Sequence, residues 1–404
     1  VVAAILLFSR GPSRLLRPEL WAEDGVFWLR QAYNSGLSDL MTPIVGYLQT
    51  LSRLGGLVAI HFPLTEAPLI FALIAFVVQL APVVLLLSRR GEALVPSLPV
   101  RLLIVLYYIG APNSFEVYVN LTNAMWHLAL VAFLLVVLPK PRTVVGLIAD
   151  AVVLMVAGLS GPLVLFIAPI AWWQVVELRR QTDGAKRLLY ASLLTLCAVV
   201  QGMLVAAQAA QTRVGHLGAS FSRLVHILAD QIFLGGVIGG NNVLRLLGDR
   251  LWLQVWPAAL VCVLAIVLGL IAFYKGPTAH RQLVVLSVLI MAGALKSPMV
   301  SAVIPQWEPM QYPGVGGRYY IIPMLAWFTT LLVLATVRWR FGLQWVARGL
   351  VLCCAVGVVY DWHYTPYVHT GYHSAAKMFD RAPPGTVVTF PENPVPWHFE
   401  LTKR

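Results

Sequence analysis

Residues 68–87 read PLIFALIAFVVQLAPVVLLL, and Ser88-Arg89-Arg90 follow at once. This uncharged run of 20 residues matches the roughly 20 apolar residues an α-helix needs to cross a bilayer. A basic pair directly behind it marks the end that stays in the cytoplasm. The rest of the chain has the same character. Of its 404 residues, 59% are hydrophobic and 11% charged, against about 45–50% and about 25% in soluble domains. So many apolar side chains exceed what a water-soluble core can hide, which excludes an ordinary cytosolic enzyme and requires a lipid-facing surface. Further runs lie at 102–111, 124–138, 144–158, 163–176, 188–207, 252–273, 283–295, 319–336 and 345–360. With the short run 1–8, the expected fold is an all-α polytopic membrane protein of about eleven spans. The chain is expected to begin inside its first helix or to lack its start, and no cleavable signal peptide is read.

Short loops rich in Lys and Arg stay cytoplasmic. Five connections qualify: Arg89, Arg90 and Arg101; Lys140 and Arg142; Arg179, Arg180, Lys186 and Arg187; Lys275 and Arg281; Arg338, Arg340 and Arg348. They alternate with the other connections if 46–62 lies along the interface, and its Gln49, Ser52, Arg53 and His61 suit such a placement. A second juxtamembrane helix is expected over 26–36. Segments 9–67, 112–123, 159–162, 208–251, 296–318 and 361–404 then share the outer face, with most of the acidic residues and histidines. The economical division is a transmembrane domain, 1–360, and a small extracytoplasmic tail, 361–404. Alternating segments 385–391 and 397–401 predict a hairpin in that tail. The net charge of +12 is assigned to lipid phosphate and not to nucleic acid. Cys197, Cys262, Cys353 and Cys354 fall in apolar runs, and neither they nor the tail histidines His363, His369 and His373 show metal-ligand spacing, so no metal site is favoured.

Three outer clusters carry groups able to do chemistry. Arg17-Pro-Glu-Leu-Trp-Ala-Glu23-Asp24-Gly25 places two adjacent carboxylates at the membrane surface. They read either as helix-capping groups or as a general base and substrate clamp in a partly desolvated cleft. In Glu116-Val-Tyr-Val-Asn120-Leu-Thr-Asn123-Ala-Met-Trp126-His127, spacings of four, three and four would align Glu116, Asn120, Asn123 and His127 on one helical face. Such a row either bonds neighbouring helices or recognises sugar hydroxyls, with Trp126 as a stacking surface. Pro313-Gly-Val-Gly-Gly-Arg318-Tyr319-Tyr320 combines backbone freedom with a guanidinium that serves either as an interfacial anchor or as a phosphate clamp. Arg245 and Arg250 are weaker candidates for that task. Ser160-Gly161-Pro162 reads as a turn between helices, and Asp150 as an intramembrane acid that meets a neighbouring helix or snorkels.

These motifs and their order resemble the GT-C superfamily of integral-membrane glycosyltransferases: an acidic motif, Glu23-Asp24, in the first outer loop, two juxtamembrane helices, then many spans. The chain also resembles, over its length, a group of bacterial membrane proteins with WAEDG-, NxTNxxW- and GGRYY-type motifs. It departs from better-known superfamily members in lacking a large soluble outer domain. The resemblance implies a polyprenyl-phosphate sugar donor, a glycan, lipid or protein acceptor, and inversion at the anomeric carbon. It also implies Glu23 or Asp24 as base, and Arg318 with Tyr319 at the donor phosphate, with Arg245 as a secondary group. Glu116, Asn120, Asn123, Trp126 and His127 would hold sugar hydroxyls. Some members use a divalent cation, which is not favoured here. The implied location is a bacterial inner membrane with the site on its periplasmic face. The competing readings are a polymerase or ligase of lipid-linked glycans, and a transporter or flippase, for which polar groups converge near the bilayer midplane.

Overall fold

The structure, a computed structural model, describes every residue except 179–182, 209–214, 302 and 337–341. Arg179, Arg180, Arg338 and Arg340 therefore lie outside the described residues. About 70% of the chain is helical, and the described sheet is a single antiparallel strand pair. Six helices are long and apolar enough to cross a membrane: Leu64–Leu87, Gly184–Gln208, Phe221–Ile238, Val255–Lys275, Thr278–Lys296 and Leu343–Tyr360. Five shorter apolar helices accompany them: Leu98–Gly110, Ala124–Val137, Val144–Gly158, Val164–Glu177 and Ile321–Thr336. In Leu343–Tyr360 only 17% of the most apolar window is buried. Leu352, Val356 and Val359 stand exposed on it. Water does not tolerate so broad an apolar surface, and lipid does. The chain is a helical membrane protein. Ala124–Val137 sits at the centre with all but Met125 buried, packed against the Ala67–Leu87, Val144–Gly158 and Val164–Glu177 helices, as a helix apolar on every side requires.

Hydrogen bonds sort the connections into two ends. At the basic end, Arg90 Nε donates to the Pro139 carbonyl at 2.8 Å and Lys186 Nζ to that of Pro141 at 2.7 Å. The Thr278 hydroxyl there donates to Glu177 at 2.6 Å. Asp150 meets its neighbours as expected: Arg90 grips both its oxygens at 3.0 and 2.7 Å, and Tyr190 donates to it at 2.6 Å. At the opposite, polar end the fully buried Arg10 donates to the carbonyls of Ile109, Ala111, Asp361 and Trp362. Asp361 in turn accepts the backbone N–H groups of Asn113, Gly240 and Asn241.

Segment 208–251 corrects the sequence reading, which makes it a polar outer loop. Phe221–Ile238 is instead an apolar helix, and both its ends are held at the polar end of the bundle. Arg223 pairs with Glu308 at 3.0 Å, and just past its other end Gly240 N–H meets Asp361 at 2.7 Å. It therefore lies across that end instead of running between the two. His226, Asp230 and Gln231 interrupt its apolar pattern. The fold satisfies them internally, through a His226–Asp230 contact of 3.1 Å, Trp252 on Asp230 at 3.0 Å and Gln231 on the carbonyls of Met310 and Tyr312.

The first juxtamembrane helix forms close to its expected bounds, and the second is shorter than expected. Asp24–Leu29 forms wide π-type turns continued by Arg30–Ser35, and Thr50–Ala59 alone is helical within 46–62. The tail begins where the Leu343–Tyr360 helix stops. Its strands Val387–Pro391 and His398–Thr402 pair antiparallel with Phe390 opposite Phe399, so the expected hairpin forms. The tail packs back on the first outer segment. Ala22 N–H donates to the Asn393 carbonyl, Asn393 N–H to that of Leu20 at 3.1 Å, and the Tyr372 hydroxyl to that of Leu64 at 2.8 Å.

Candidate functional site

The Gly-rich loop before the Ile321–Thr336 helix turns sharply through Gly314 (φ +96°) and Gly316 (φ +65°). It presses on the Asn113 backbone so closely that a Cβ at Gly317 would lie 2.9 Å from the Asn113 carbonyl oxygen. This contact carries Arg318 onto Glu116. The guanidinium pairs with Glu116 Oε1, and the Arg318 N–H donates to Oε2 at 3.1 Å. Nη2 donates to the Met299 carbonyl and to the Tyr319 hydroxyl at 3.1 Å. Three of about five guanidinium donors are thus engaged. The side chain keeps 19% of its surface exposed, and its remaining donors have no partner among the described residues. Glu116 thus holds both the side chain and the backbone of Arg318.

Glu23 comes to the same place from the first outer segment. It is half-buried, and no side chain donates to its carboxyl among the described residues. Burial pushes it above the usual carboxylate range, against its own backbone N–H and the positive charge of Arg318. Tyr47 completes the group. Two hydrogen bonds between Ile44 and Tyr47, at 3.0 and 3.2 Å, close a tight turn through Val45 and Gly46, both at positive φ. Burial raises the Tyr47 phenol, Glu23 and Tyr319 raise it further, and Arg318 opposes them.

Asp24 points the other way, into the protein. Its Oδ1 accepts the Thr122 hydroxyl at 2.8 Å and its Oδ2 the Trp21 N–H at 3.1 Å, while Trp28 Nε1 donates to Thr122 at 2.9 Å. Burial pushes its carboxyl up to about 7, those two donors working against the shift. Behind it lies Glu392 from the tail, fully buried and accepting the N–H groups of Gly25 at 2.8 Å and Val26 at 3.1 Å. Burial and then the charge of Asp24 push Glu392 up to about 9. Gly25 permits this approach, because a Cβ there would collide with the Glu392 carboxylate and the Phe399 ring.

The expected helical row from Glu116 to His127 does not form. Phe115–Val117 is a single turn, Val119 takes φ +42°, and the helix begins only at Ala124. Asn120 Oδ1 accepts the Asn123 N–H at 3.1 Å, and its amide reaches Tyr367 at 3.3 Å. Asn123 donates to the Glu116 carbonyl at 3.0 Å. The His127 ring is buried, with Nδ1 on the Tyr108 hydroxyl at 2.8 Å and Nε2 on the Val117 carbonyl at 2.9 Å. These three side chains brace the loop. Trp126 stands edge-on to Tyr319, 5.5 Å between ring centres, with its buried Nε1 free of hydrogen bonds. Arg245 is not brought in, since its contacts are Asn242 at 3.3 Å and the Tyr360 ring. Among the described residues no group of three or more His, Cys, Asp or Glu side chains is placed to hold a metal ion.

Sequence reasoning missed Tyr47 and Glu392. Neither sits in a recognisable motif, and Glu392 meets Gly25 across 367 positions of chain. One conformational signal does mark the site. The described non-glycine residues at positive φ are Ala22, Val45, Asn113 and Val119, and each lies in a segment that supplies Glu23, Tyr47 or Glu116. Such conformations cost about 1–3 kcal/mol each and concentrate where function holds the backbone in place.

The two buried carboxyls give the protein a pH signature. Both have folded pKa values above their unfolded ones, so their favourable contribution is complete below the unfolded values and is lost as pH rises through the folded ones. The detergent-solubilised protein is expected to lose melting temperature between about pH 4 and pH 9. Glu392→Gln should flatten the upper part of that decline, and an unchanged slope in the variant would refute the assignment. Compared with family profiles, curated proteins and solved structures, the chain finds no match.

Proposed function

We propose that this protein is a polytopic glycosyltransferase of the membrane, moving a sugar from a polyprenyl-phosphate donor to an acceptor hydroxyl at the polar end of the bundle. The supporting observation is convergence. Arg318 pairs with Glu116, and Glu23 and Tyr47, from two further segments, come within electrostatic reach of it, in a bundle whose helices present exposed apolar faces. A lipid-linked substrate needs that combination, an apolar surface for the prenyl chain and a cation for its phosphate.

In this reading Glu23 takes the acceptor proton, the acceptor oxygen attacks the anomeric carbon, and the carbon–oxygen bond to phosphate breaks with its electron pair staying on the departing lipid phosphate. The free donors of Arg318 meet the charge that develops there, with Glu116 fixing the guanidinium. Asp24 holds the Glu23 segment in place from beneath. The acceptor is a glycan, lipid or protein, and the polar end faces the periplasm of a bacterial inner membrane. A polymerase or ligase of lipid-linked glycans shares the leaving group and differs in donor size. A transporter is less well supported, because this charged group gathers at one end of the bundle.

Donor binding tests the proposal. In lipid nanodiscs, Arg318→Ala should weaken binding of a polyprenyl-phosphate sugar by about tenfold or more, a loss of about 1.4 kcal/mol. Arg223→Ala, which removes a half-exposed ion pair with Glu308 at the same end, should change it little. Equal effects would remove Arg318 from the phosphate site.

A further inference from the structure

A groove of about 620 Å³ lies elsewhere on the polar end, lined by Ser13, Leu16, Arg17, Glu19, Tyr367 and His369. Behind its Tyr367 wall is Arg14, only 3% exposed. Its Nε, Nη1 and Nη2 are all buried without a hydrogen-bond partner among the described residues. Arg10 next to it shows what this fold does with a buried guanidinium it uses structurally, giving it four backbone carbonyls and a serine hydroxyl. Arg14 has only ring faces, Tyr367 at 3.0 Å from its guanidinium carbon and Phe115 at 4.7 Å. Rings attract a cation but accept none of its in-plane N–H groups. The void it lines with Trp21, Asp24 and Asn120 measures about 10 Å³. That is room for about one water, too little for three donor nitrogens.

Tyr367 and Glu19 line both the groove and this void. Glu19 is already taken, by His369 and Thr370, each at 2.8 Å. Tyr367 is held by stacking on Trp21 at 4.6 Å and by one long hydrogen bond from Asn120, at 3.3 Å. The ring also meets the Phe115 edge at 6.1 Å and the Arg14 guanidinium, so it swings aside only where a bound anion replaces these contacts with an ion pair to Arg14. Arg17 adds a second cation at the groove rim.

We propose that the groove binds an oxyanion, a phosphate or carboxylate group, which displaces the Tyr367 ring and takes the N–H groups of Arg14. The site is separate from the Arg318 cluster and does not depend on glycosyl transfer. It explains why the fold keeps a buried charge with no acceptor.

The test uses the full chain in nanodiscs, titrated calorimetrically with inorganic phosphate, acetate and dioctanoyl phosphatidic acid. At least one should bind saturably, with Arg14→Gln weakening it tenfold or more, Tyr367→Ala strengthening it, and Arg223→Ala, which breaks an ion pair at the same end of the bundle, leaving it unchanged. Phosphate binding as well as phosphatidic acid identifies a free phosphate group as the ligand, much tighter phosphatidic acid a lipid headgroup, and acetate alone a carboxylate. No saturable binding of any probe, or binding indifferent to Arg14→Gln, overturns the proposal. Melting without ligand supplies a second readout. A guanidinium kept for a ligand burdens the empty protein, so Arg14→Leu should melt above wild type. A lower melting temperature would make Arg14 a structural cation and sink the idea.

Discussion

Glu23→Gln is expected to reduce glycosyl transfer by about 10²- to 10⁴-fold, the usual contribution of a positioned general base, while leaving the melting temperature nearly unchanged. The two halves of that expectation come from one observation. The Glu23 carboxyl takes no side-chain hydrogen bond among the described residues, so an isosteric amide strands no side-chain donor, and it removes the proton acceptor together with one negative charge near Arg318. Asp24→Asn should behave differently. Both Asp24 oxygens accept hydrogen bonds, and an amide turns one of them into a donor facing either the Trp21 N–H or the Thr122 hydroxyl. That variant is expected to melt lower and to lose activity through displacement of the Glu23 segment. Burial raises the Glu23 pKa, so the acid limb of the pH–rate profile should lie above the ordinary carboxylate range and vanish in Glu23→Gln. Assays of both variants on matched, folded protein decide the matter. Full turnover by Glu23→Gln would take the base away from this residue and leave Asp24 to be reconsidered.

Much of this arrangement is legible in the sequence, and the parts that are not fail for identifiable reasons. The apolar runs give the helices from 68 onward because hydrophobicity over about 20 residues is a strong, local signal. Loop charge sorts their ends equally well, since Arg90, Lys186 and Thr278 all bond to neighbouring basic connections. Glu23, Glu116 and Arg318 stand out as charges where charge is scarce, and the fold gathers them. The row from Glu116 to His127 misleads because helical spacing has meaning only within a helix. Val119 at φ +42° and the single turn Phe115–Val117 break it, so Asn120 and Asn123 brace the loop through the Asn123 N–H and the Glu116 carbonyl instead of standing in one row. Phe221–Ile238 is hidden for the opposite reason. Its polar residues are internally paired, so a loop-like composition covers an apolar helix. Glu392 and Tyr47 depend on tertiary approach alone, which no short window of sequence contains.

Arg10 carries the largest expected effect on stability. It stands just past the Val2–Ser9 helix, fully buried, and its guanidinium reaches the carbonyls of Ile109 at 2.8 Å, Asp361 at 2.9 Å, Ala111 at 3.0 Å and Trp362 at 3.2 Å. The Ser114 hydroxyl accepts a fifth bond at 3.3 Å, and Tyr364 lies against the guanidinium at 4.3 Å. The carbonyls come from the ends of the Leu98–Gly110 and Leu343–Tyr360 helices, so one side chain ties together three helix ends that are far apart in sequence. Removing it strands buried carbonyls that cost about 1–3 kcal/mol each. Even two of them approach a large part of the roughly 5–15 kcal/mol by which a folded domain exceeds its unfolded chain. Arg10→Ala is therefore expected to fail to accumulate as folded protein, or to melt far below wild type. Arg10→Lys, with three donors on a point charge in place of a planar fork, should fall between. Asp361→Ala gives an independent check from the other side of the same junction, because it frees the Asn113, Gly240 and Asn241 N–H groups while leaving the Asp361 carbonyl on Arg10. Its loss should approach that of Arg10→Ala and spread to the site, since Asn113 is the residue on which the Arg318 loop rests. Wild-type melting in Arg10→Ala would mean that these helix ends are held by their apolar packing and that the guanidinium network is dispensable.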